Sequence, residues 1–374
     1  MRVLFAGGGT GGHVCPAVAV AGALERIAPG SQVLFLGTGR AVEERILGRA
    51  RLPHVALACS PFGWRTVFAN ARGFARAYYE ARRFLPEVVL GLGGYASAAG
   101  VIAGRAVGAR VALFEPNALA GKATSALARL AHEAYVHWDQ PLAAKTVVTG
   151  TPLDENALAS SDLTKEEARA RLDLPVDRPC VLVVGGSQGA RALNRWVMES
   201  IHDVSTDVSF VHVAGNEDLD RVRHAYATAE MNARVVPFLD GMATAYRAAS
   251  IAVCRAGAAT LAEVAAEGLP AVLVPYPKAA LDHQRANARA YELAGGGKLL
   301  DETSLTPNVL AQVSAMAGDE PLLAAMRQAA RAQARPDAAG DVARRLLTLG
   351  GYSQTEVLAD TGVRTAGRVP AHAH

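Results

Sequence analysis

The fold is decided by VLFAGGGTGGH at residues 3–13, a short apolar strand that leads directly into a glycine-rich turn. A similar pattern, VLVVGGSQGA, occurs at residues 181–190, about half the chain later. Each predicts a strand, a tight turn and a helix whose first backbone N–H groups have no partner within the helix. Such a helix N-terminus carries partial positive charge and suits a phosphate or another oxyanion. Two such units predict two similar α/β domains that face a shared cleft.

Length and composition agree with two domains built on buried parallel sheets. The 374 residues exceed what one ordinary core holds, and 51% of them are hydrophobic. No apolar run approaches the length of a membrane span, and we expect no signal peptide. The formal net charge of +3 is too small to indicate a nucleic-acid partner. The four scattered cysteines lack metal-ligand spacing, which favours free thiols in a reducing cytoplasm.

Strand-like apolar runs alternate with alanine-rich helical stretches in both halves of the chain. This alternation predicts two parallel sheets covered by helices. The first series ends at residues 149–152 (TGTP), and a capping-box pattern of Thr164 with Glu167 begins the next helix. We therefore predict a first domain over residues 1–155 and a second over residues 156–337.

Residues with unusual chemistry follow several of the predicted strands. Ligands of open α/β sheets lie beyond the carboxyl ends of the strands, so these residues predict a binding site there. Strand ends also need turns, which explains some of the glycines equally well. The residues are Thr10, His13, Gly93, Gly94, Tyr95, Glu115, Asn117 and Ser187, with the segment 255–287.

Residues 238–287 read FLDGMATAYRAASIAVCRAGAATLAEVAAEGLPAVLVPYPKAALDHQRAN. Together with GGGTGGHVCP, GLGGYAS, EPNALAG and GGSQGA, they resemble the GT-B glycosyltransferases, and within them the MurG family of peptidoglycan enzymes. The resemblance covers roughly residues 1–350 and has the motifs in the family's order. It implies a GT-B fold, with two Rossmann-like domains whose parallel sheets face an interdomain cleft.

The resemblance also implies the reaction. An inverting enzyme of this family moves N-acetylglucosamine from UDP-N-acetylglucosamine (UDP-GlcNAc) to the MurNAc 4-hydroxyl of lipid I, an undecaprenyl-linked acceptor, and forms lipid II. This step serves peptidoglycan synthesis and hence cell shape and division. The family is peripheral to the cytoplasmic side of the cell membrane. Its last helix, here about residues 338–350, returns to the first domain, and residues 351–374 are then expected to be a flexible tail.

By the same resemblance, the second domain binds the donor. Ser187 and its turn would hold the diphosphate, and the backbone of Leu239 would recognise the uracil edge. Glu263 would accept hydrogen bonds from the ribose, and Gln284 would hold hydroxyls of the sugar. The implied phosphate-facing residues are Gly186, Gln188, Gly189 and Arg255. The implied donor-binding residues are Thr10, Gly11, Gly12, Asn117, Ser187, Leu239, Ala258, Ala259, Thr260, Leu261, Ala262, Glu263 and Gln284.

His13 is the first candidate for the general base, because its ordinary pKa of about 6.5 lies close to working pH. The alternative is that His13 only positions the acceptor diphosphate, with Thr10 and Tyr95 also on the acceptor side. A lone histidine in a turn is more often structural than catalytic. The one Asp-x-Asp pair, Asp218 and Asp220, falls in a predicted helix away from the glycine-rich turns. We therefore expect neither a metal nor a cofactor.

An aromatic and basic stretch at residues 62–86 predicts a membrane-facing helix. Phe68, Phe74 and Tyr78 recur there at helical spacing, with Arg76 among the arginines of the same stretch. Aromatic and basic side chains together suit an anionic bilayer surface, and Phe68, Phe74 and Arg76 are the predicted membrane-facing residues. The alternative is a stripe of aromatic residues that faces the core, the commoner outcome of such a pattern.

Two residues depart from the family pattern. Pro116 stands where the family often has glutamine, and Asp154 stands where some members have an arginine that approaches the donor. Three rival functions stay open at this point. They are another GT-B enzyme with a lipid acceptor such as diacylglycerol, a UDP-sugar epimerase, and a nucleotide-sugar-binding or scaffold protein without catalysis.

Overall fold

The protein is described by a computed structural model over residues 1–9, 11–59, 67–154, 163–185, 191–239 and 241–353, with backbone alone for residues 67–69. Residues of both glycine-rich turns therefore fall partly outside the described residues. So do residues 354–374 of the predicted tail and the predicted domain boundary between residues 155 and 156, which stays a prediction.

The first sheet has seven parallel strands in the order β3-β2-β1-β4-β5-β6-β7. Its strands are β1 (Arg2–Ala6), β2 (Gln32–Gly37), β3 (His54–Ala56), β4 (Val88–Gly91), β5 (Arg110–Glu115), β6 (Glu133–Val136) and β7 (Lys145–Val148). The helices between them are α1 (Gly11–Ile27), α2 (Ala41–Arg49), α3 (Val67–Phe84), α4 (Tyr95–Ala106) and α5 (Lys122–Leu127).

The second sheet has six parallel strands in the order β10-β9-β8-β11-β12-β13. Its strands are β8 (Cys180–Val184), β9 (Ser209–Val213), β10 (Ala233–Val236), β11 (Ile251–Cys254), β12 (Ala271–Leu273) and β13 (Gly297–Leu299). Its helices are α6 (Lys165–Arg171), α7 (Arg191–Ser200), α8 (Leu219–Thr228), α9 (Ala243–Ala248), α10 (Ala258–Glu267), α11 (His283–Leu293), α12 (Pro307–Met316) and α13 (Glu320–Gln333). The predicted capping box of Thr164 and Glu167 is confirmed at the start of α6.

Both sheets have their central strands buried on both faces. All five residues of β8 are buried, as are Val3 to Ala6 of β1, because helices cover each side. In each sheet the strand order reverses beside the first strand, between β1 and β4 and between β8 and β11. Crevices at such reversals are where open α/β sheets bind ligands. The predicted α/β fold, with two Rossmann-like sheets, is therefore confirmed.

The chain returns to the first sheet after α13. Helix α14 (Ala338–Leu349) packs on α1, and its residues Val342, Ala343, Leu346 and Leu347 are buried in the core beside β1. Arg345 of α14 donates from Nε to a carboxylate oxygen of Glu133 in β6 at 3.0 Å. In the other direction, Trp138 follows β6 and packs against the core of the second sheet. Within the described residues, no helix is both long and apolar enough to span a membrane.

Candidate functional site

The glycine-rich turn after β1 is braced by a buried carboxylate. Glu43 of α2 is 1% exposed, and its carboxylate accepts hydrogen bonds from the backbone N–H groups of Gly9, Thr38 (2.8 Å) and Gly39 (3.0 Å). A Cβ on Gly8 would lie 2.6 Å from Oε1 of Glu43, so only glycine fits there. Sequence reasoning missed Glu43. The available signal was its spacing of four from Leu47, which places it on the buried face of α2.

His13 lies in the first turn of α1, and its ring forms a hydrogen bond with the glycine-rich turn that precedes the helix. Nδ1 of His13 lies 2.8 Å from the carbonyl oxygen of Gly8. Because a carbonyl only accepts, Nδ1 carries the proton in this contact and Nε2 is the unprotonated nitrogen of the neutral ring. Burial lowers the pKa of His13, against the opposing effects of the Gly8 carbonyl, Glu115 and Glu43. The neutral form, which a general base requires, is therefore favoured.

The turn after β4 packs directly on the turn after β1. Gly93 and Gly94 both have positive φ, 89° and 79°. A Cβ on Gly94 would lie 2.7 Å from the carbonyl oxygen of Gly8, and one on Gly93 would lie 3.2 Å from Nε2 of His13. Tyr95 follows at the start of α4, with its side chain exposed. Tyr95 therefore begins the helix two residues after the glycine that approaches His13.

The loop after β5 is organised by Glu115. This carboxylate is 3% exposed, and it accepts from the N–H (3.1 Å) and Nδ2 (2.9 Å) of Asn117 and from the N–H of Gly121 (2.9 Å). Gln140 donates to the carbonyl oxygen of Asn117 at 2.7 Å. All of these contacts bypass residue 116. Pro116 is therefore compatible with the loop, although it lacks the glutamine that is frequent in the resembling family.

The helix after β11 carries Glu263 at a partly exposed position. The hydroxyl of Tyr246, on α9, donates to Oε2 of Glu263 at 2.6 Å. Burial raises the pKa of Glu263, and the hydrogen bond from Tyr246 opposes that shift. Ala258, Ala259 and Thr260 form the first turn of α10, and the side chains of Ala258, Leu261 and Ala262 are buried. Sequence reasoning also missed Tyr246, because its partner lies 17 residues away on another helix.

Arg255 follows β11 directly and is held by several partners. Its guanidinium is 8% exposed and donates to the carbonyl oxygens of Val274 (3.2 Å) and Pro275 (3.1 Å). It also pairs with Glu302 and lies over the ring of Tyr276. These contacts hold the segment after β12 against the end of β11. The phosphate-facing role of Arg255 stays a prediction.

Gln284 lies in the first turn of α11, and its Oε1 accepts from the backbone N–H of Tyr276 at 2.9 Å. The chain enters this helix through Leu281 and Asp282, both with φ of 53°. Two successive residues other than glycine in this region store roughly 1–3 kcal/mol each. Leu239, in the loop after β10, is half-buried and packs against the second core.

Charges in the second sheet's domain influence the pKa values of two residues on α1, Cys15 and His13. The pKa of Cys15 is raised to about 11 by burial, and next by the charges of Glu263 and Asp154. His283 of α11 acts on the pKa of His13 in the lowering direction. Ionisable groups of α10 and α11 in the second sheet are therefore within electrostatic range of α1 in the first. Asp154 contributes negative charge at this point, the opposite of the arginine that some members of the resembling family have there.

Some predicted residues cannot be placed. Gly11 and Gly12 open α1, but the described residues exclude Thr10, Gly186, Ser187, Gln188, Gly189 and the side chain of Phe68. Among the residues that are described, no group of three or more His, Cys, Asp or Glu is arranged to hold a metal ion.

The structure places Phe74 and Arg76 of the predicted membrane-facing helix differently. Phe74 is half-buried on α3 and packs against the first core, as the alternative interpretation of the aromatic stripe expected. Arg76 is exposed, pairs with Glu80 at 2.7 Å and lies over the ring of Tyr79. Among the side chains of this helix that the structure describes, the exposed aromatic ones are those of Tyr78 and Tyr79, at 45% and 57%.

Comparisons with known proteins match both halves of the chain. The glycosyltransferase family 28 N-terminal domain matches residues 3–136, and the family 28 C-terminal domain matches residues 180–342. A UDP-N-acetylglucosamine–N-acetylmuramyl-(pentapeptide) pyrophosphoryl-undecaprenol N-acetylglucosamine transferase of Geobacter metallireducens is 36% identical over 363 residues, which is 93% of this chain and 98% of the relative. The protein of the same name from Halorhodospira halophila is 40% identical, over 91% of this chain and 96% of the relative.

Solved structures agree with the sequence relatives. The crystal structure of Acinetobacter baumannii MurG superposes with a TM-score of 0.76 at 31% identity, and the match covers 93% of this chain and 99% of that one. A UDP-N-acetylglucosamine 2-epimerase superposes with a TM-score of 0.68 at 14% identity, which shows a shared fold alone. The predicted GT-B fold is confirmed.

Proposed function

Because the chain belongs to the MurG family within glycosyltransferase family 28, we propose that it transfers N-acetylglucosamine from UDP-GlcNAc to the MurNAc 4-hydroxyl of lipid I and forms lipid II. The observation that carries the proposal is the match to named transferases over more than nine-tenths of the chain, and the influence of His283 in the second sheet on the pKa of His13 in the first supports it. The activity is that of an inverting hexosyltransferase. The rival epimerase has support from fold likeness alone.

In this reaction the acceptor oxygen attacks C1 of the donor sugar while the bond from C1 to the diphosphate breaks. His13 takes the hydroxyl proton on Nε2, since Nδ1 is committed to the Gly8 carbonyl. The leaving UDP carries the departing charge, and helix N-termini after β8 and β11 supply N–H donors for it. Glu263 orients the ribose and Gln284 the sugar hydroxyls. Closure of the cleft would limit hydrolysis by excluding water.

The decisive experiment is transfer of labelled sugar from UDP-GlcNAc to a short-chain lipid I analogue, with an acceptor-free control. We expect acceptor-dependent label in a lipid product of inverted anomeric configuration. Epimerisation of the donor without any acceptor would favour the epimerase. Transfer to diacylglycerol but not to the lipid I analogue would favour another lipid glycosyltransferase. Donor binding without turnover would favour a binding protein.

We further propose that the protein is peripheral to the cytoplasmic membrane and that α3 contacts its anionic surface. Tyr78, Tyr79 and Arg76 support this, because exposed aromatic and basic side chains on one helix suit a lipid interface. Replacing both tyrosines with serine is expected to weaken binding to phosphatidylglycerol vesicles several-fold, measured by co-sedimentation. Leu293→Ser, at a residue 80% exposed on α11, is the control. Vesicle binding that is equal in all variants and in the unmodified protein would refute membrane contact by α3.

A further inference from the structure

A single fully buried side chain joins the two domains beside the site. Asn287 of α11 is 0% exposed. Its Oδ1 accepts from the backbone N–H of Ala118 at 2.8 Å, and its Nδ2 donates to Oδ1 of Asn117 at 3.1 Å. The same Nδ2 donates to the carbonyl oxygen of Ala256 in its own domain, also at 3.1 Å. The amide thus bonds simultaneously to the loop after β5 and to the strand end of β11.

The loop that Asn287 contacts is held firmly from its other side. Asn117 donates its Nδ2 to Glu115, and a carboxylate only accepts in such a contact. The oxygen of the Asn117 amide is therefore the end that faces Asn287. A flip of either asparagine amide would place like groups against each other, N–H against N–H or oxygen against oxygen. The chain Glu115–Asn117–Asn287 therefore has one consistent direction, which fixes the orientation of the Asn117 side chain.

Asn287 lies on α11, the same helix as Gln284, which we propose to bind the sugar hydroxyls of the donor. Gln284 lies three residues earlier on α11, a spacing that puts two side chains on neighbouring positions of one helical face. The hydrogen bond from Asn287 to Asn117 therefore sets the distance between Gln284 of α11, in the second domain, and the loop after β5, in the first domain. Moving the domains apart at this point would leave a buried amide and the N–H of Ala118 without these partners, which is unfavourable away from water.

We infer that Asn287 is a positioning residue, which holds Asn117 and the loop of residues 116–121 in register with the donor-binding helix α11. This inference rests on the proposed function for its kinetic consequence but not for the contact itself. Asn287 acts on the reaction through Asn117 and touches no reacting atom in this account.

The kinetic test uses Asn287→Asp and Asn287→Ala in the full-length enzyme. Aspartate keeps an acceptor for Ala118 but turns an oxygen towards the oxygens of Asn117 and Ala256. We expect kcat to fall about 10- to 100-fold, because a misplacement of about 1 Å has effects of this size, while KM for UDP-GlcNAc changes less than about threefold. Tyr291→Phe is the matched control. Tyr291 lies one turn further along α11, is 1% exposed, and its hydroxyl has no hydrogen-bond partner among the described residues.

A double variant separates positioning from general stability. If Asn287 acts through Asn117, then Asn117→Ala with Asn287→Ala has about the kcat of Asn117→Ala alone. Losses in kcat that multiply in the double variant would overturn the inference. So would an unchanged kcat in Asn287→Asp, or a KM that rises as much as kcat falls. If the alanine variant does not fold, Asn287→Ser is used in its place.

Hydrogen exchange tests the contact without any turnover. In the enzyme alone, Asn287→Ala is expected to speed exchange across residues 116–121 about tenfold or more, and Tyr291→Phe is expected to leave it unchanged. Unchanged exchange in Asn287→Ala would refute the contact. If the unmodified protein fails to transfer sugar while Asn287→Ala still speeds exchange, the proposed function is refuted and the interdomain contact stands.

Discussion

Tyr246→Phe tests whether Glu263 binds the donor ribose. The substitution removes one oxygen from a side chain that is 3% exposed, so the packing of the ring against its neighbours is retained. The lost group donates to Oε2 of Glu263 at 2.6 Å. Burial and the charge of Glu263 raise the pKa of Tyr246 well above its ordinary value, so this hydroxyl is a proton donor at any working pH.

The expected effect follows from the chemistry of the bond. A hydrogen bond to a charged group contributes about 1.5–3 kcal/mol, and 1.4 kcal/mol is tenfold in an equilibrium constant. If the free energy of ribose binding weakens by half of about 1.5 kcal/mol, donor affinity falls about threefold. If it weakens by the full ~1.5 kcal/mol, donor affinity falls about tenfold. The hydrogen bond opposes the burial that raises the pKa of Glu263, so its removal raises that pKa further. The loss of affinity should therefore deepen as the pH falls.

The assay is calorimetric binding of UDP from pH 5.5 to 8.5, with KM for UDP-GlcNAc measured in parallel. Tyr291→Phe again serves as control, and 2′-deoxy-UDP is the matched ligand, because a ligand without that hydroxyl gains less from a well-placed carboxylate. The reasoning is refuted if Tyr246→Phe folds normally and binds UDP like the unmodified protein at every pH. It is also refuted if the loss is equally large for 2′-deoxy-UDP.

Three further predictions concern the base, acid stability and packing. Burial lowers the pKa of His13, so in a pH–rate profile kcat/KM should fall only as the pH drops below the ordinary pKa of 6.5. His13→Ala should lower kcat by about 10²–10⁴, while binding titrations should show a nearly normal affinity for UDP-GlcNAc. His212 is fully buried, and burial lowers its pKa to about 3. As the pH falls below 6.5, His212 of the unfolded chain is protonated before His212 of the folded protein, so the free energy of unfolding declines by up to about 1.4 kcal/mol per pH unit from its full value above pH 6.5. His212→Gln should reduce this slope in denaturant titrations. A Cβ on Gly100 would lie 2.4 Å from that of Ala6, so Gly100→Ala should destabilise the fold by about 1–3 kcal/mol, whereas Gly48→Ala, which meets nothing within 4 Å, should stabilise α2 by about 0.5–1 kcal/mol.

Strands β1 and β8 were readily predicted from the sequence. Each is an apolar run followed directly by glycine, and such a run is recognisable from neighbouring residues alone. The edge strands β3 and β13 are three residues long and carry mixed exposure, so no local pattern marks them. The orientation of Phe74 was left open for a related reason. Its helical spacing identified a face of α3, but spacing alone does not say whether that face meets the core or the solvent.

The family motifs, and with them the class of reaction, were determined by the sequence itself, because glycine-rich turns and the ends of buried strands are local features with strong conformational preferences. Only the tertiary structure decided which polar side chains are partners. Glu43 bonds Gly9 across 34 residues, Arg255 bonds Glu302 across 47, and Asn287 bonds Asn117 across 170. A hydrogen bond acts over about 3 Å, and the chain distance between its partners carries no information about that separation. Whether a charged residue faces a ligand or braces the fold is therefore settled by how the two sheets and their helices pack.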